Sequence, residues 1–418
     1  MGRRWVRAGM ATMWAPANLA RLVGWFLALM DSTCRAFVWR HARRLPGDAR
    51  APDALPKWWL GESGTPPVAI VTGAGSGIGF ATAKRLHALG ARVAVVCATL
   101  AEAEATSARI AEQAEAEAGA GPGRARERAV RHEKILSEKK VRPVAFGADL
   151  RDGAAIDALA EALDADHRTN ADTVRCVVHC AGVMRCVFSR VKRSGLEETA
   201  AVNAVAPARL TAALAARRRR RRKKKRALPR LRVVTVGSFV HRAVSAREMT
   251  RWVRWVDDTR VRKPDEDEED EKTKTKTKTY VPATAYACSK TAATMLAYEY
   301  SVSSRESHGV CPVLADPGLV DTAINREWPS ALRLFYVFAA RRLGVLASPE
   351  DAAALACRAC FYEYSVAADG THTHGRPPPE RCAYLFGAAG ARLAPSRVVA
   401  DAHARGACVR ALERWARL

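Results

Sequence analysis

The sequence offers no disulfide scaffold, no zinc-finger or helix-turn-helix spacing and, near its start, no apolar run long enough to span a bilayer. Its 11 cysteines are odd in number and scattered. That pattern excludes complete pairing and points to free thiols in a reducing compartment. Cys357 and Cys360 share a CxxC spacing without a second pair, so no metal site is expected. The charge-free stretch 22–30 has nine residues, against about 20 for a spanning helix. Acidic residues are scarce beside basic ones, 43 against 68, for a net charge of +25. The run 217–226 supplies ten of those positive charges. No aromatic residue is interleaved with it, which argues against a nucleic-acid platform. A solvated loop between a helix and a strand is its expected state.

The N-terminal segment also lacks acid: no Asp or Glu precedes Asp31, while four arginines do. Within it Leu19, Leu22, Val23, Phe26, Met30, Cys34 and Phe37 recur at helical spacing. Residues 1–62 are therefore expected to be an amphipathic anchor or targeting segment. An interfacial helix on a membrane surface, reached through residues 1–60, fits the basic flanks. A transit peptide for chloroplast or mitochondrion and a helix packed on the domain are the alternatives. The first would place the protein on the cytoplasmic face of a membrane.

Two short motifs carry chemistry. Thr72-Gly73-Ala74-Gly75-Ser76-Gly77-Ile78-Gly79 follows the apolar run Val68-Ala69-Ile70-Val71. Such a turn from strand into helix lets backbone N–H groups and a helix dipole face a pyrophosphate. Tyr286 and Lys290 stand four residues apart in a helical stretch, and so share a face. The ammonium should favour phenolate and lower the tyrosine pKa, which suits proton exchange with a substrate oxygen.

Strands are predicted near 68–71, 93–97, 143–146, 174–179, 231–236, 310–315 and 383–386, with Ala-rich helices such as 154–163 and 291–300 between. Right-handed crossovers then give an α/β fold: a doubly wound parallel sheet with helices on both faces. Residues 63–400 form this domain, and 401–418 a C-terminal helix. Insertions are expected at about 102–140, 217–226 and 245–280. The first reads as a helix broken near 119–123. The third holds an acidic run, 265–271, and a Lys-Thr repeat to 279.

Over about 65–400 the chain resembles the short-chain dehydrogenase/reductase family. Thr72, Gly73, Gly77 and Gly79 fall on its glycine motif. Asp149 matches its acidic residue near adenine, Cys180-Ala181-Gly182 its Asn-Ala-Gly strand end, and Asn203 its asparagine. Ser238 matches its serine, and Asp316-Pro317-Gly318-Leu319-Val320-Asp321-Thr322 its nicotinamide loop. The stretches 202–208 and 316–351 are similar to its FOREVER YOUNG-type and retinol- and polyprenol-dehydrogenase-like branches.

The resemblance implies a Rossmann fold and an NAD(P)-dependent oxidoreductase acting on a lipophilic alcohol or ketone of retinoid, steroid or polyprenol type. Tyr286 would be the acid/base and Lys290 its helper and ribose ligand. Ser238 would polarise the substrate oxygen, and Asn203 would order a water. Ser76, Ile78, Ala181, Gly182, Pro317, Gly318 and Val320 would line the cofactor, and Thr322 would bind its carboxamide. His179 and Cys180 depart from the family's paired asparagines; His179 is expected to be structural. Cys97-Ala98-Thr99 supplies no carboxylate for a ribose hydroxyl, which leans towards NADP over NAD. Specificity is expected in the loop after Thr322, including Asn325 and Trp328. A homodimer is left open. So are two other classes: a non-catalytic NAD(P)-binding redox sensor, and a nuclear or nucleic-acid interaction protein acting through 217–226.

Overall fold

Runs of valine, isoleucine and alanine that are apolar at every position suit strands covered on both faces. In the computed structural model β1 (Val68–Thr72) is buried along its whole length. The structure describes residues 15–42, 59, 66–119, 141–170, 172–222, 231–260, 280–302, 309–362, 382–387 and 390–417. The other main-sheet strands are β2 (Arg92–Cys97), β3 (Val144–Gly147), β4 (Val174–His179), β5 (Leu231–Val236) and β6 (Val310–Asp316). A short ribbon follows, β7 (Leu319–Val320) with β8 (Leu346–Ala347), and then β9 (Ala383–Phe386) and β10 (Ala391–Arg392).

The eight-stranded sheet has the order β10-β9-β6-β5-β4-β1-β2-β3. All its pairings are parallel except β9–β10. The order reverses between β1 and β4. Ligands of open α/β sheets bind at such a switch point, beyond the carboxyl ends of the strands.

The helices are α1 (Pro16–Ala42), α2 (Gly77–Ala88), α3 (Leu100–Gly119), α4 (Gly153–Ala165), α5 (Ala206–Arg222) and α6 (Ala246–Arg260). They continue with α7 (Pro282–Val302), α8 (Ser330–Arg342), α9 (Pro349–Cys360) and α10 (Ala402–Trp415). Alternate strand residues feed opposite layers, as the two-residue period requires. Ala69 and Val71 pack with Leu86 of α2 and Leu355 of α9. Val68 and Ile70 pack with Leu159 of α4 and Leu210 of α5. A third cluster joins α7 and α10 to α1 through Met295, Leu412, Trp25 and Leu29.

Two expectations change. The basic run does not begin as a loop: its first six residues finish α5. Arginine is a strong helix former and follows the Ala-rich stretch here. Arg218 is buried and donates to the Val174 carbonyl at 2.7 Å. Arg221 pairs with Asp164 at 3.0 Å and Asp172 at 3.2 Å. Residues 223–226, the acidic run and the Lys-Thr repeat lie outside the described residues, as does 120–140.

The N-terminal helix is packed on the domain, the third of the alternatives above. Asn18, Trp25, Ala28, Leu29 and Ser32 are buried on one face, while Val23, Phe26, Leu27 and Phe37 stay exposed on the other. No helix among the described residues is long and apolar enough to cross a membrane. All eleven cysteines are free, and most are buried; Cys34 is exposed.

Candidate active site

The strand ends at the switch point open into a cavity of about 450 Å³, to which α1, α7 and α8 also contribute. Its nucleotide half is built from the glycine turn. Gly73 takes φ +66° and Gly77 φ +52°, conformations that strain residues with a Cβ. A Cβ on Gly73 would stand 2.7 Å from Ala181 Cα, and one on Gly79 would strike the Gly73 carbonyl. The turn thus lies against β4 and the start of α2. The first turn of α2 carries no acidic residue, and Ser76 makes no side-chain cap. Its N–H groups and dipole are left for a phosphate. Thr322 closes on the same turn, since a Gly77 Cβ would sit 3.3 Å from its methyl carbon. The residues present therefore fit a dinucleotide.

Gly73, Ser76, Gly77, Ile78, Gly79, Asp149, Ala181, Gly182, Pro317, Gly318, Val320 and Thr322 all line the cavity. Thr72 does not: its buried hydroxyl bridges the Ala181 N–H and the Val178 carbonyl, both at 3.4 Å. It holds β1 to the end of β4. Asp149 is held below the usual carboxylate range by its hydrogen bonds to Arg151, at 2.8–3.1 Å. Sequence reasoning missed Glu102. It lies in the first turn of α3, beyond the Cys97-Ala98-Thr99 strand end, and its carboxylate covers Gly75 at the cavity edge. The available signal was Thr99, whose hydroxyl accepts the Glu102 N–H at 3.2 Å.

The chemical half brings together Ser238, just past β5, and Tyr286 and Lys290 on α7. Lys290 is buried and donates to the Val236 carbonyl at 3.1 Å. Burial lowers its pKa to about 8, against the opposing pull of Cys180 and Asp316. Tyr286 departs from expectation. Burial pushes its phenol up, Asp316 adds to this, and a hydrogen bond with Ser238 only partly offsets both. Desolvation outweighs any help from the lysine, so the free site holds a neutral phenol.

Asp316 was noticed only as part of a loop motif, but it is the charge that faces both groups. It is fully buried, accepts from Tyr384 at 2.5 Å and from the Gly318 N–H at 2.9 Å, and has a pKa raised by burial to about 6.

Asn203 does not line the cavity. It sits within a π-helical turn, Ala201–Val205, a local widening found often at functional sites. Its carbonyl oxygen accepts from the Val183 N–H at 2.8 Å, and its NH2 donates to the Val183 carbonyl at 2.9 Å and Ser289 at 3.0 Å. With its amide engaged in this way, Asn203 anchors the loop after β4 to α7. His179 contacts Thr211 at 2.9 Å, and burial takes its pKa down to about 4. It is a neutral residue within the fold. His241, also missed, is buried with Nδ1 2.8 Å from the Ser238 carbonyl. A carbonyl only accepts, so Nδ1 carries the proton. Burial drives the ring's pKa to about 3, and it steadies the serine backbone as a neutral donor.

The cavity also carries aromatic side chains. Trp25, Trp328 and Tyr336 line it with Asn325. Trp328 and Tyr336 pack edge to face at 5.1 Å. The loop after Thr322 was anticipated from sequence; Trp25 and Tyr336 were not.

Residues 67–121 match the family described as short chain dehydrogenase. No curated protein matches significantly. Among solved structures, an uncharacterised protein from Mycobacterium paratuberculosis is similar at 17% identity and TM-score 0.51, over 85% of this chain and 96% of that one. That likeness bears on the fold. A protein from Beutenbergia cavernae described as an NAD(P) dependent gluconate 5-dehydrogenase, with NADP bound at low occupancy, is 23% identical at TM-score 0.43 over 70% of this chain and 89% of that one. An alcohol dehydrogenase from Thermococcus sibiricus complexed with 5-hydroxy-NADP is 16% identical at TM-score 0.44 over 77% and 95%.

Proposed function

We propose that this chain is an NAD(P)-dependent oxidoreductase of the short-chain dehydrogenase/reductase family, which residues 67–121 match, and that it reduces a lipophilic ketone or aldehyde, or oxidises the matching alcohol, with Tyr286 as acid/base. One observation carries the reading: Ser238, Tyr286 and Lys290 line the same cavity as the glycine turn. A nicotinamide bound there supplies or accepts the hydride. The Ser238 hydroxyl hydrogen-bonds the substrate oxygen. Tyr286, neutral at physiological pH, hands its phenolic proton to that oxygen as it gains negative charge. Lys290, charged below about pH 8, stabilises the resulting phenolate. Reduction of carbonyls by purified protein, with Tyr286→Phe as control, tests the assignment.

Glu102 governs the nucleotide. Its carboxylate can accept a ribose 2′-hydroxyl and repels a 2′-phosphate, so NAD replaces the NADP expected from the strand end. Arg109 is engaged with the Gly75 carbonyl at 2.8 Å and the face of Phe80 at 3.8 Å. Glu102→Gln should raise NADPH affinity relative to NADH in a fluorescence titration; an unchanged ratio would remove the claim.

A membrane surface is the proposed location. Support comes from exposed Val23, Phe26 and Leu27 on α1 and Leu334, Phe335 and Phe338 on α8, helices that both wall the cavity. Arg333, Arg341 and Arg342 accompany the α8 residues, as an interfacial helix on anionic lipid requires. Co-sedimentation with anionic vesicles should fall when Phe335 and Phe338 are both changed to Ser.

A further inference from the structure

The element that covers the reacting end of the cavity lies outside the βα repeat. α1 touches three segments that carry the proposed chemistry, and it does so through consecutive turns of one face. Asn18 comes first: its side-chain oxygen accepts the Ala283 N–H at 3.0 Å. Ala283 is in the opening turn of α7, three residues before Tyr286, where backbone donors have no partner within the helix. Arg21 follows, donating to the Ala243 carbonyl at 2.6 Å and pairing with Glu248. Ala243 ends the short turn Phe239–Ala243 that leaves Ser238. One turn on, the Trp25 ring lies 5.6 Å from the Tyr286 ring, tilted by 53°. Trp25 is 5% exposed, yet it lines the cavity. Leu29 ends the series, 4.0 Å from where a Gly318 Cβ would stand, on the loop after β6.

We infer that α1 is a working part of the catalytic unit: Trp25 is a specificity-determining wall for the substrate, and Asn18 and Arg21 are positioning residues for the Tyr286 and Ser238 segments. The inference rests on the carbonyl-reduction reading of the cavity. The ligand chemistry follows from the walls. Trp25, Trp328 and Tyr336 offer flat apolar surface around the Tyr286 hydroxyl, which suits a carbonyl compound with a rigid ring-bearing body. A short aldehyde would reach Tyr286 without covering Trp25. The outer apolar face of α1 then has a second use, because the helix that meets the lipid also walls the pocket a lipophilic substrate must enter.

The test is a set of full-length variants assayed with a short aldehyde and a fused-ring ketone. Trp25→Leu should raise KM for the ring ketone about tenfold, the loss of one aromatic wall. KM for the aldehyde should rise by a clearly smaller factor, so that the ratio of the two KM values changes, and the Kd for nucleotide should stay within about twofold of the wild type. Should Trp25→Leu fold poorly, Trp25→Phe tests the same point with a smaller rise. Asn18→Ala should lower kcat for both substrates without changing nucleotide Kd. Asn18→Asp, which still accepts the Ala283 N–H, should restore it. Ring-ketone binding is also read without turnover, as the Tm increase it causes beyond that given by oxidised nucleotide. A Trp25→Leu protein that keeps both this increase and the wild-type KM overturns the inference. Tyr286→Phe separates the two readings: full turnover there would remove the mechanism, while the binding arm still reports on Trp25.

Discussion

At the scale of single residues, burial decides which ionisable groups work and which only hold the fold. Lys290 is the clearest case. Its folded pKa of about 8 lies below its ordinary 10.5, because the ammonium is cut off from water. Between those two values the unfolded chain binds the extra proton, so stability rises with pH there. Below pH 8 the fold bears the full cost of a buried charge. Lys290→Met should therefore raise Tm at pH 7, by about 2–5 °C after the lost hydrogen bond to Val236 is set against it. The difference should shrink as pH climbs from 8 towards 10.5, while turnover is lost throughout. A lower Tm at pH 7 would mean that the amine is better compensated than its surroundings indicate.

Gly77 is decided by backbone geometry. Its positive φ strains any side chain, and a Cβ there would crowd the Thr322 methyl carbon at 3.3 Å. Gly77→Val should abolish dinucleotide binding in a titration of NADH fluorescence while the circular dichroism spectrum stays native. Unchanged affinity in the folded variant would contradict the cradle.

At the scale of elements, legibility followed periodicity. The strands at 174–179, 231–236 and 383–386 have the predicted bounds, because short valine-rich runs flanked by loops admit little else. The glycine turn and the Tyr286–Lys290 pair were legible as parts of one cavity because each is defined by local spacing. The position of α1 was not. Its apolar residues point two ways, and spacing alone cannot tell a face that meets lipid from one that meets α7. The direction of the Tyr286 shift was also illegible, since desolvation and Asp316 come from distant parts of the chain. Glu102 was hidden for a similar reason: it reaches the strand end from the next helix.

The first six residues of the basic run show the opposite error, in which composition suggested a loop and tertiary partners accompany a helix. Removing Arg218 leaves the Val174 carbonyl without its donor, and Arg218→Ala should cost about 1–3 kcal/mol in denaturant unfolding. Arg220→Ala, at an exposed position, should stay within about 0.5 kcal/mol. Equal effects would return the whole run to a surface role.

At the scale of the molecule, the sheet order does most of the positioning. The reversal between β1 and β4 opens the crevice. Parallel strands bring the glycine turn, Ser238 and the Asp316 loop to one edge, and α7 lays Tyr286 and Lys290 across it. The central claim is that Tyr286 passes a proton to the substrate oxygen. Tyr286→Phe removes one oxygen and little volume, so folding and nucleotide affinity should persist. The direct measurement is kcat for reduction of an accepted carbonyl compound by the wild type and Tyr286→Phe at neutral pH. The account predicts a fall on the order of 10²–10⁴-fold, the usual contribution of general acid–base catalysis. Turnover near that of the wild type, with nucleotide still bound, would contradict it and favour a protein that senses the nucleotide without performing the reaction.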